Sequence, residues 1–478
     1  LLTIAGFLAY FLGRFVNIFA DYDLWGYLAF GRLFWENGFP YHDVFSYVPT
    51  KATWIYHEWL IGVIFFPIYE KFGAVGLQLL RYAIMMATLA FIVSTALRRN
   101  GNKLAVGIAL FLAGNGLTYG YAPVRAQVFT YLFFTLFIYV LERYKKENKP
   151  YLLWCLPLIE IVWCNIHGGF VAGIGLIGLY ALGEGLARRP FIPYLKITLV
   201  TILATLVNPY GFSYWIFIIR AITLPRSDIT EWMSVPKAIA SGNYRDETIL
   251  FAAILLITVF LMVRSKKKNL TDIVVLAVTA FLGFTSIRHI ILFFLAFGAY
   301  VPVQISEYMD SLKRDPKIEP ALNKVRKPVL LLLSLVFLVL ASLSCRHFIY
   351  SPRFALVTPM NFYPVRALEW IETRRWQGNV IPNFEWGEYV IWRTYPRCRV
   401  SMDGRLETVY GTELQKEYFD FLHGRAGWQV FLKKYAHDMV LIKKGSRTDS
   451  LMREQQEWRL AYEDGLSTIF LRQERKTD

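Results

Sequence analysis

Charge and cysteine are both scarce in this chain of 478 residues: 18% are charged and only 4 are Cys. So few cysteines exclude a disulfide scaffold, and 32 glycines without a period exclude a collagen. No P-loop, no GxGxxG motif opening a helix after a strand and no Cys or His set at zinc spacing occurs, so ATP-driven chemistry and structural zinc have no support. A long internal repeat is also missing. What is abundant is apolar: 55% of the chain is hydrophobic and 17% aromatic, too oily for an ordinary soluble domain and too aromatic for a disordered one. A net charge of +16 would point to nucleic acid in a soluble protein, whereas in a polytopic one it collects on cytoplasmic loops. No nucleic-acid partner is expected.

Apolar runs of roughly 15 to 22 residues recur about eleven times up to position 345, each near the length that crosses a ~30 Å hydrocarbon core. With the first run crossing outward, the loops assigned to the cytoplasm carry Arg98, Arg99 and Lys103, then Arg143, Lys145, Lys146 and Lys149, then Arg188, Arg189 and Lys196. The next two carry Arg264, Lys266, Lys267 and Lys268, and Lys313, Arg314, Lys317, Lys324, Arg326 and Lys327. Every second loop is basic, so the N-terminus is expected in the cytoplasm and the tail outside it. The first run has no small-residue cleavage pattern before Asp21 and is read as an uncleaved helix.

The fold class expected is therefore a polytopic α-helical membrane protein of about eleven transmembrane helices with a small C-terminal soluble α/β domain. The boundaries are 1–345 for the transmembrane domain, with a large first outer loop at 21–73, and 346–478 for the extracytoplasmic domain. Within the loop, Leu24 to Trp35 has the look of an amphipathic helix lying along the headgroup boundary, and a second helix starts at Glu58. In the tail, strands are expected near 379–384, 398–402 and 439–443, a helix near 428–435, and a closing hairpin through Glu463-Asp464-Gly465. Cys345 and Cys398 are candidates for an extracytoplasmic disulfide.

The residues that could carry chemistry gather on the outer side. Asp21-Tyr22-Asp23 ends the first span, and two carboxylates on a non-helical segment serve as a general base or as oxygen ligands of a divalent ion; alternatively Asp21 caps the following helix. His57-Glu58-Trp59 returns the chain to the membrane, with Glu58 or His57 either joining the acids or stabilising its own helix. Asp43 is a helix cap or a third acid. Arg125, His167, Arg288 and His289 stand at the outer ends of spans, against the charge bias, where each needs a partner or a snorkelling path. A lipid phosphate would supply one, because arginine donates two parallel hydrogen bonds to it. Asn208-Pro209-Tyr210-Gly211 reads as a turn, Glu231 as a solvated loop charge and Asp403-Gly404-Arg405 as a tight turn after a strand.

These strings resemble the GT-C class of polytopic glycosyltransferases. Asp21-Tyr22-Asp23-Leu24-Trp25, Gly31-Arg32, Asp43-Val44-Phe45-Ser46, His57-Glu58-Trp59-Leu60, Trp386-Gly387-Glu388-Tyr389 and Asp403-Gly404-Arg405 are similar to a large group of prokaryotic members. The resemblance implies an integral protein of a prokaryotic plasma or inner membrane that transfers a sugar from a polyprenyl-phosphate-linked donor to a protein, lipid or glycan acceptor on the extracytoplasmic face. It implies that Asp21 or Asp23 is the acceptor-activating base or the ligand of a divalent cation, Mg or Mn. Substrate binding would fall to His57, Glu58, Arg125, His167, Arg288 and His289, the cations stabilising the departing phosphate. The competing readings are a lipid or solute transporter and a non-catalytic assembly subunit. A transporter would place charges near the midplane and show related halves; turnover of a polyprenyl-phosphate sugar separates the enzyme from both.

Overall fold

A computed structural model describes residues 2–121, 123–224, 230–266, 268–314 and 319–473, so Ala122, Lys267 and Lys317 lie outside the described residues. The chain divides into two compact units. One, the helical unit, comprises Leu1–Asn17 and Gln78–Phe354; the other, the α/β unit, comprises Ile18–Leu77 and Ala355–Asp478. The first outer loop, which the sequence reading grouped with the spans, thus belongs to the same compact unit as the C-terminal domain. The long helix Trp59–Arg98 passes from one unit into the other and has non-helical dihedrals at Gly73.

Among the described residues, Trp59–Arg98, Gly168–Leu186, Arg245–Arg264 and Leu331–Tyr350 are helices long and apolar enough to cross a membrane. A fifth span is added if Ile287–Tyr300 and Pro302–Lys313, bent by 50°, count as one. That is fewer than the number of apolar runs, because several runs fold into helices shorter than the ~20 residues a span needs. Pro150–Ile166, Ile192–Ala204, Phe212–Thr223 and Leu270–Thr285 are such helices. The apolar stretch that holds Ile192–Ala204 and Phe212–Thr223 is interrupted at Asn208-Pro209-Tyr210-Gly211, where Gly211 adopts φ 53°. Only 6% of the Leu331–Tyr350 window is buried within the protein, a face that hydrocarbon rather than water would solvate. The chain is an integral membrane protein by these helices.

Several charges inside the helical unit are paired. Arg99, read from sequence as a loop cation, is buried between Glu142 and Asp272, while Lys145 meets Glu184. Tyr180 donates to Glu142 Oε1 at 2.7 Å and shares a 2.8 Å hydrogen bond with Tyr300. Such mutual pairing is how ionisable groups persist among apolar helices.

In the α/β unit a five-stranded sheet has the order β2-β1-β3-β5-β4, with β1 Gly378–Pro382, β2 Cys398–Val400, β3 Met439–Lys443, β4 Trp458–Glu463 and β5 Ser467–Arg472. β1 runs parallel to β2 and β3, and β5 antiparallel to β3 and β4. The expected strands and hairpin are present, and the expected helix is Gln429–Lys434. All four cysteines are free, Cys398 being buried in β2. The first outer loop extends this sheet: Val400 N–H donates to Phe45 O at 3.0 Å and Tyr47 N–H to Val400 O at 3.3 Å.

The helix Tyr22–Asn37 corrects the interfacial expectation. Leu24 to Gly31 and Leu33 are buried, and Trp25 packs 5.1 Å from Tyr389 of the helix Gly387–Thr394. An aromatic-rich helix that is apolar nearly all round is a core helix, not one that floats at a boundary. Gly26 and Gly31 permit its close approach, since a side chain at either would overlap Glu388 or Gly62.

Candidate functional site

Two clusters of functional groups emerge, one in each unit. In the helical unit the outer cations are held together by Glu231. Arg288 Nη1 donates to Glu231 Oε1 at 2.7 Å, and Arg125 Nη1 to Glu231 Oε2 at 3.4 Å. Burial pushes the Glu231 carboxyl up, but the two guanidinium charges more than offset it and hold the group below the usual carboxylate range. Two guanidiniums thus converge on one carboxylate. Arg288 also lies 5.2 Å over the Trp232 ring, against which His289 packs edge-on at 5.7 Å.

His167 is the third member. It breaks the chain between helices, with φ −159° at the end of Pro150–Ile166, so that Gly169 N–H donates to its Nδ1 at 2.9 Å. Thr130 Oγ1, which receives Trp163 Nε1–H at 3.0 Å, sits 2.8 Å from the same nitrogen. Nδ1 is therefore the acceptor and the ring proton is assigned to Nε2. Nε2 lies 3.4 Å from Arg288 Nη2, which carries hydrogens too. A cavity of about 120 Å³ lined by Arg125, Tyr131, Glu231, Tyr244 and Arg288 adjoins them. Arg125, His167 and Arg288 are thus brought together, His289 standing beside them against Trp232.

In the α/β unit the two acids of the first constellation part company. Asp21, with φ −76° and ψ 149°, caps the helix Tyr22–Asn37 by accepting Asp23 N–H at 3.1 Å. Asp23 lies in the first helical turn rather than on the non-helical segment expected. Among the described residues no three His, Cys, Asp or Glu side chains are placed to hold a metal ion. The cap engages one oxygen of Asp21, and no step is assigned to a divalent cation. His57 Nε2 stands 3.7 Å from Glu58 Oε1.

Glu388, quoted in sequence only within a string, is the acid beside Asp23. Its residue is 6% exposed, and Oε2 accepts the N–H of Gly26 at 3.2 Å. Burial first, then the Asp23 and Asp403 carboxylates, push the Glu388 carboxyl well above the usual range, against an opposing pull from Arg405. Behind it lies a buried clamp. Arg405 donates from Nε to Asp403 Oδ1 at 2.8 Å and from Nη2 to Asp403 Oδ2 at 2.6 Å, and pairs through Nη1 with Asp43. Tyr410 adds a 2.6 Å bond to Asp403 Oδ2. Asp43 accepts Ser46 N–H at 2.8 Å; burial raises its carboxyl, but Arg405 and Ser46 bring it below the ordinary value. Asp403-Gly404-Arg405 is therefore a structural lock between the first loop and the carboxyl end of β2, more than a tight turn. Both segments lie at the carboxyl ends of parallel strands, the edge where open α/β sheets place functional groups.

No family model matches the chain, and no curated protein matches it in sequence. Its fold is similar to those of solved membrane proteins. The Archaeoglobus fulgidus oligosaccharyltransferase, solved tethered to an acceptor peptide containing the NVT sequon via a disulfide bond, is similar with a TM-score of 0.56 and 10% identity, over 92% of this chain and 68% of that one. ArnT from Cupriavidus metallidurans, solved bound to undecaprenyl phosphate, is similar with a TM-score of 0.58 and 12% identity, over 98% of this chain and 97% of that one.

Proposed function

We propose that the chain is a membrane glycosyltransferase that moves a sugar from a polyprenyl-phosphate-linked donor to an acceptor on the extracytoplasmic face. The observation that carries this reading is the Arg125–Glu231–Arg288 cluster with His167, guanidinium and imidazole groups gathered beside a small cavity of the helical unit. The undecaprenyl phosphate in the ArnT structure supports the ligand class. The acceptor oxygen or nitrogen attacks the anomeric carbon as the bond from that carbon to the phosphate oxygen breaks. Asp23 is the proposed acceptor of the proton that the attacking group loses, and, independently, Arg125, Arg288 and His167 within the helical unit are the proposed donors of charge-assisted hydrogen bonds to a polyprenyl phosphate. The alternation of basic loops supports a cytoplasmic N-terminus and an extracytoplasmic C-terminal domain in a prokaryotic plasma or inner membrane.

The test is to supply the full chain in nanodiscs with a radiolabelled polyprenyl-phosphate sugar and candidate protein, lipid and glycan acceptors. Label transfer with release of polyprenyl phosphate is expected. Saturable binding without turnover would replace the reading by that of a non-catalytic subunit, and movement of intact lipid-linked sugar across the bilayer by that of a transporter.

A further inference from the structure

The resemblance leaves the C-terminal domain without a part in the reaction, yet one of its buried acids, Glu388, stands beside Asp23. Glu388 opens the helix Gly387–Thr394, which follows β1 and its short turn Phe384–Trp386. Asp23 and Gly26 are three residues apart in the helix Tyr22–Asn37 and so share one face. On that face the Gly26 amide fixes Glu388 Oε2. The space for the other oxygen is made by Gly404: a methyl there would stand 2.9 Å from Glu388 Oε1 and 3.5 Å from Asp23 Oδ1. Asp403, another acid nearby, is engaged by Arg405 and Tyr410. One carboxyl, anchored at one oxygen and opening at the other toward Asp23, is built into the C-terminal domain.

We propose that Glu388 is a positioning residue for Asp23, lent by the C-terminal domain, whose Oε1 sets the orientation of the Asp23 carboxylate; this rests on the reading of Asp23 as the acceptor-activating base. Glutamine preserves the anchor to Gly26 and a polar group toward Asp23, whereas leucine preserves only bulk. For the full chain in nanodiscs, Glu388→Leu should lower kcat for sugar transfer by roughly 100-fold with KM for the donor within about 2-fold, since a misplaced catalytic group costs on that order. Glu388→Gln should recover kcat to within about 10-fold of the parent. Independently of turnover, carbodiimide labelling read by mass spectrometry should change at Asp23 by about 3-fold or more relative to Asp21 in Glu388→Leu, and return in Glu388→Gln. If Glu388→Leu does not fold, Gly404→Ala, whose methyl presses on Glu388 Oε1, must give the same labelling change. An unchanged Asp23-to-Asp21 labelling ratio in the folded variant overturns the proposal. Should the parent chain turn over no polyprenyl-phosphate sugar, the function fails while the labelling still decides the positioning.

Discussion

Replacing Arg405 by methionine should unlock the α/β unit. The Arg405 side chain is 2% exposed, and its partners Asp43 and Asp403 are 1% and 0% exposed, so all three ions are out of water. Methionine fills much of the volume but leaves two buried carboxylates without their cation. Breaking such a pair costs about 3–5 kcal/mol, far more than an exposed bridge would. The lost contacts are the fork to Asp403, the pair with Asp43 and the stacking of the guanidinium 4.7 Å from the Trp54 ring. Limited proteolysis of the full chain reads the effect directly, because cleavage tracks the opened population when reclosing is fast. The cost corresponds to roughly 10²- to 10³-fold faster cleavage within 355–473. The triple variant Arg405→Met, Asp43→Asn, Asp403→Asn should recover much of that loss, since it strands no charge. Cleavage of Arg405→Met at the parent rate would refute the reasoning that these ions lock the loop to the sheet.

Three further outcomes follow from buried polar groups. His437 is buried, donating from Nε2 to Phe431 O at 2.8 Å and accepting the Tyr47 hydroxyl at Nδ1, and burial lowers its pKa from 6.5 to about 4. The folded state thus binds fewer protons: the stabilisation is complete above 6.5 and is lost as pH falls toward 4, by about 3 kcal/mol, and a pH series of unfolding midpoints should show this loss shrink in His437→Gln. Glu160 is fully buried with no hydrogen-bond partner for either oxygen among the described residues, so Glu160→Met should raise the thermal midpoint by the equivalent of ~1–3 kcal/mol; a fall would show the carboxyl to be paired. Arg288→Ala should weaken binding of polyprenyl phosphate by about 10-fold or more in a vesicle-based titration, as loss of a charge-assisted bond requires, and unchanged binding would remove the cation cluster from ligand capture.

The parts of the architecture legible in sequence were those governed by local pattern. Apolar runs mark the helices, and short stretches bounded by turns mark β1 to β5 within one or two residues. What periodicity does not encode is which surface covers a helix: Leu24 to Trp35 reads equally well as boundary or core, and its glycines decide for core by admitting Glu388 and the Gly62 backbone. Nor does local pattern reveal the Asp43–Arg405 pairing, since its partners are hundreds of positions apart. Asp21 and Asp23 looked equivalent in sequence, but the first turn of a helix separates a cap from the residue beyond it. Glu231 carried no signal as the centre of the arginine cluster, because a loop carboxylate looks alike whether solvated or paired. Glu388 had one available clue, the glycine before it and the recurrence of its string beside Asp403-Gly404-Arg405 in the resemblance.

The central claim, that this chain transfers sugar from a lipid phosphate with Asp23 as the acceptor-activating base, is tested most directly by Asp23→Asn. The variant removes the base while retaining shape and the helix cap supplied by Asp21. Single-turnover transfer from a labelled polyprenyl-phosphate sugar should fall by about 10²- to 10⁴-fold, with donor binding and the unfolding midpoint close to the parent's. Transfer at near-parental rate by the folded variant would contradict the account.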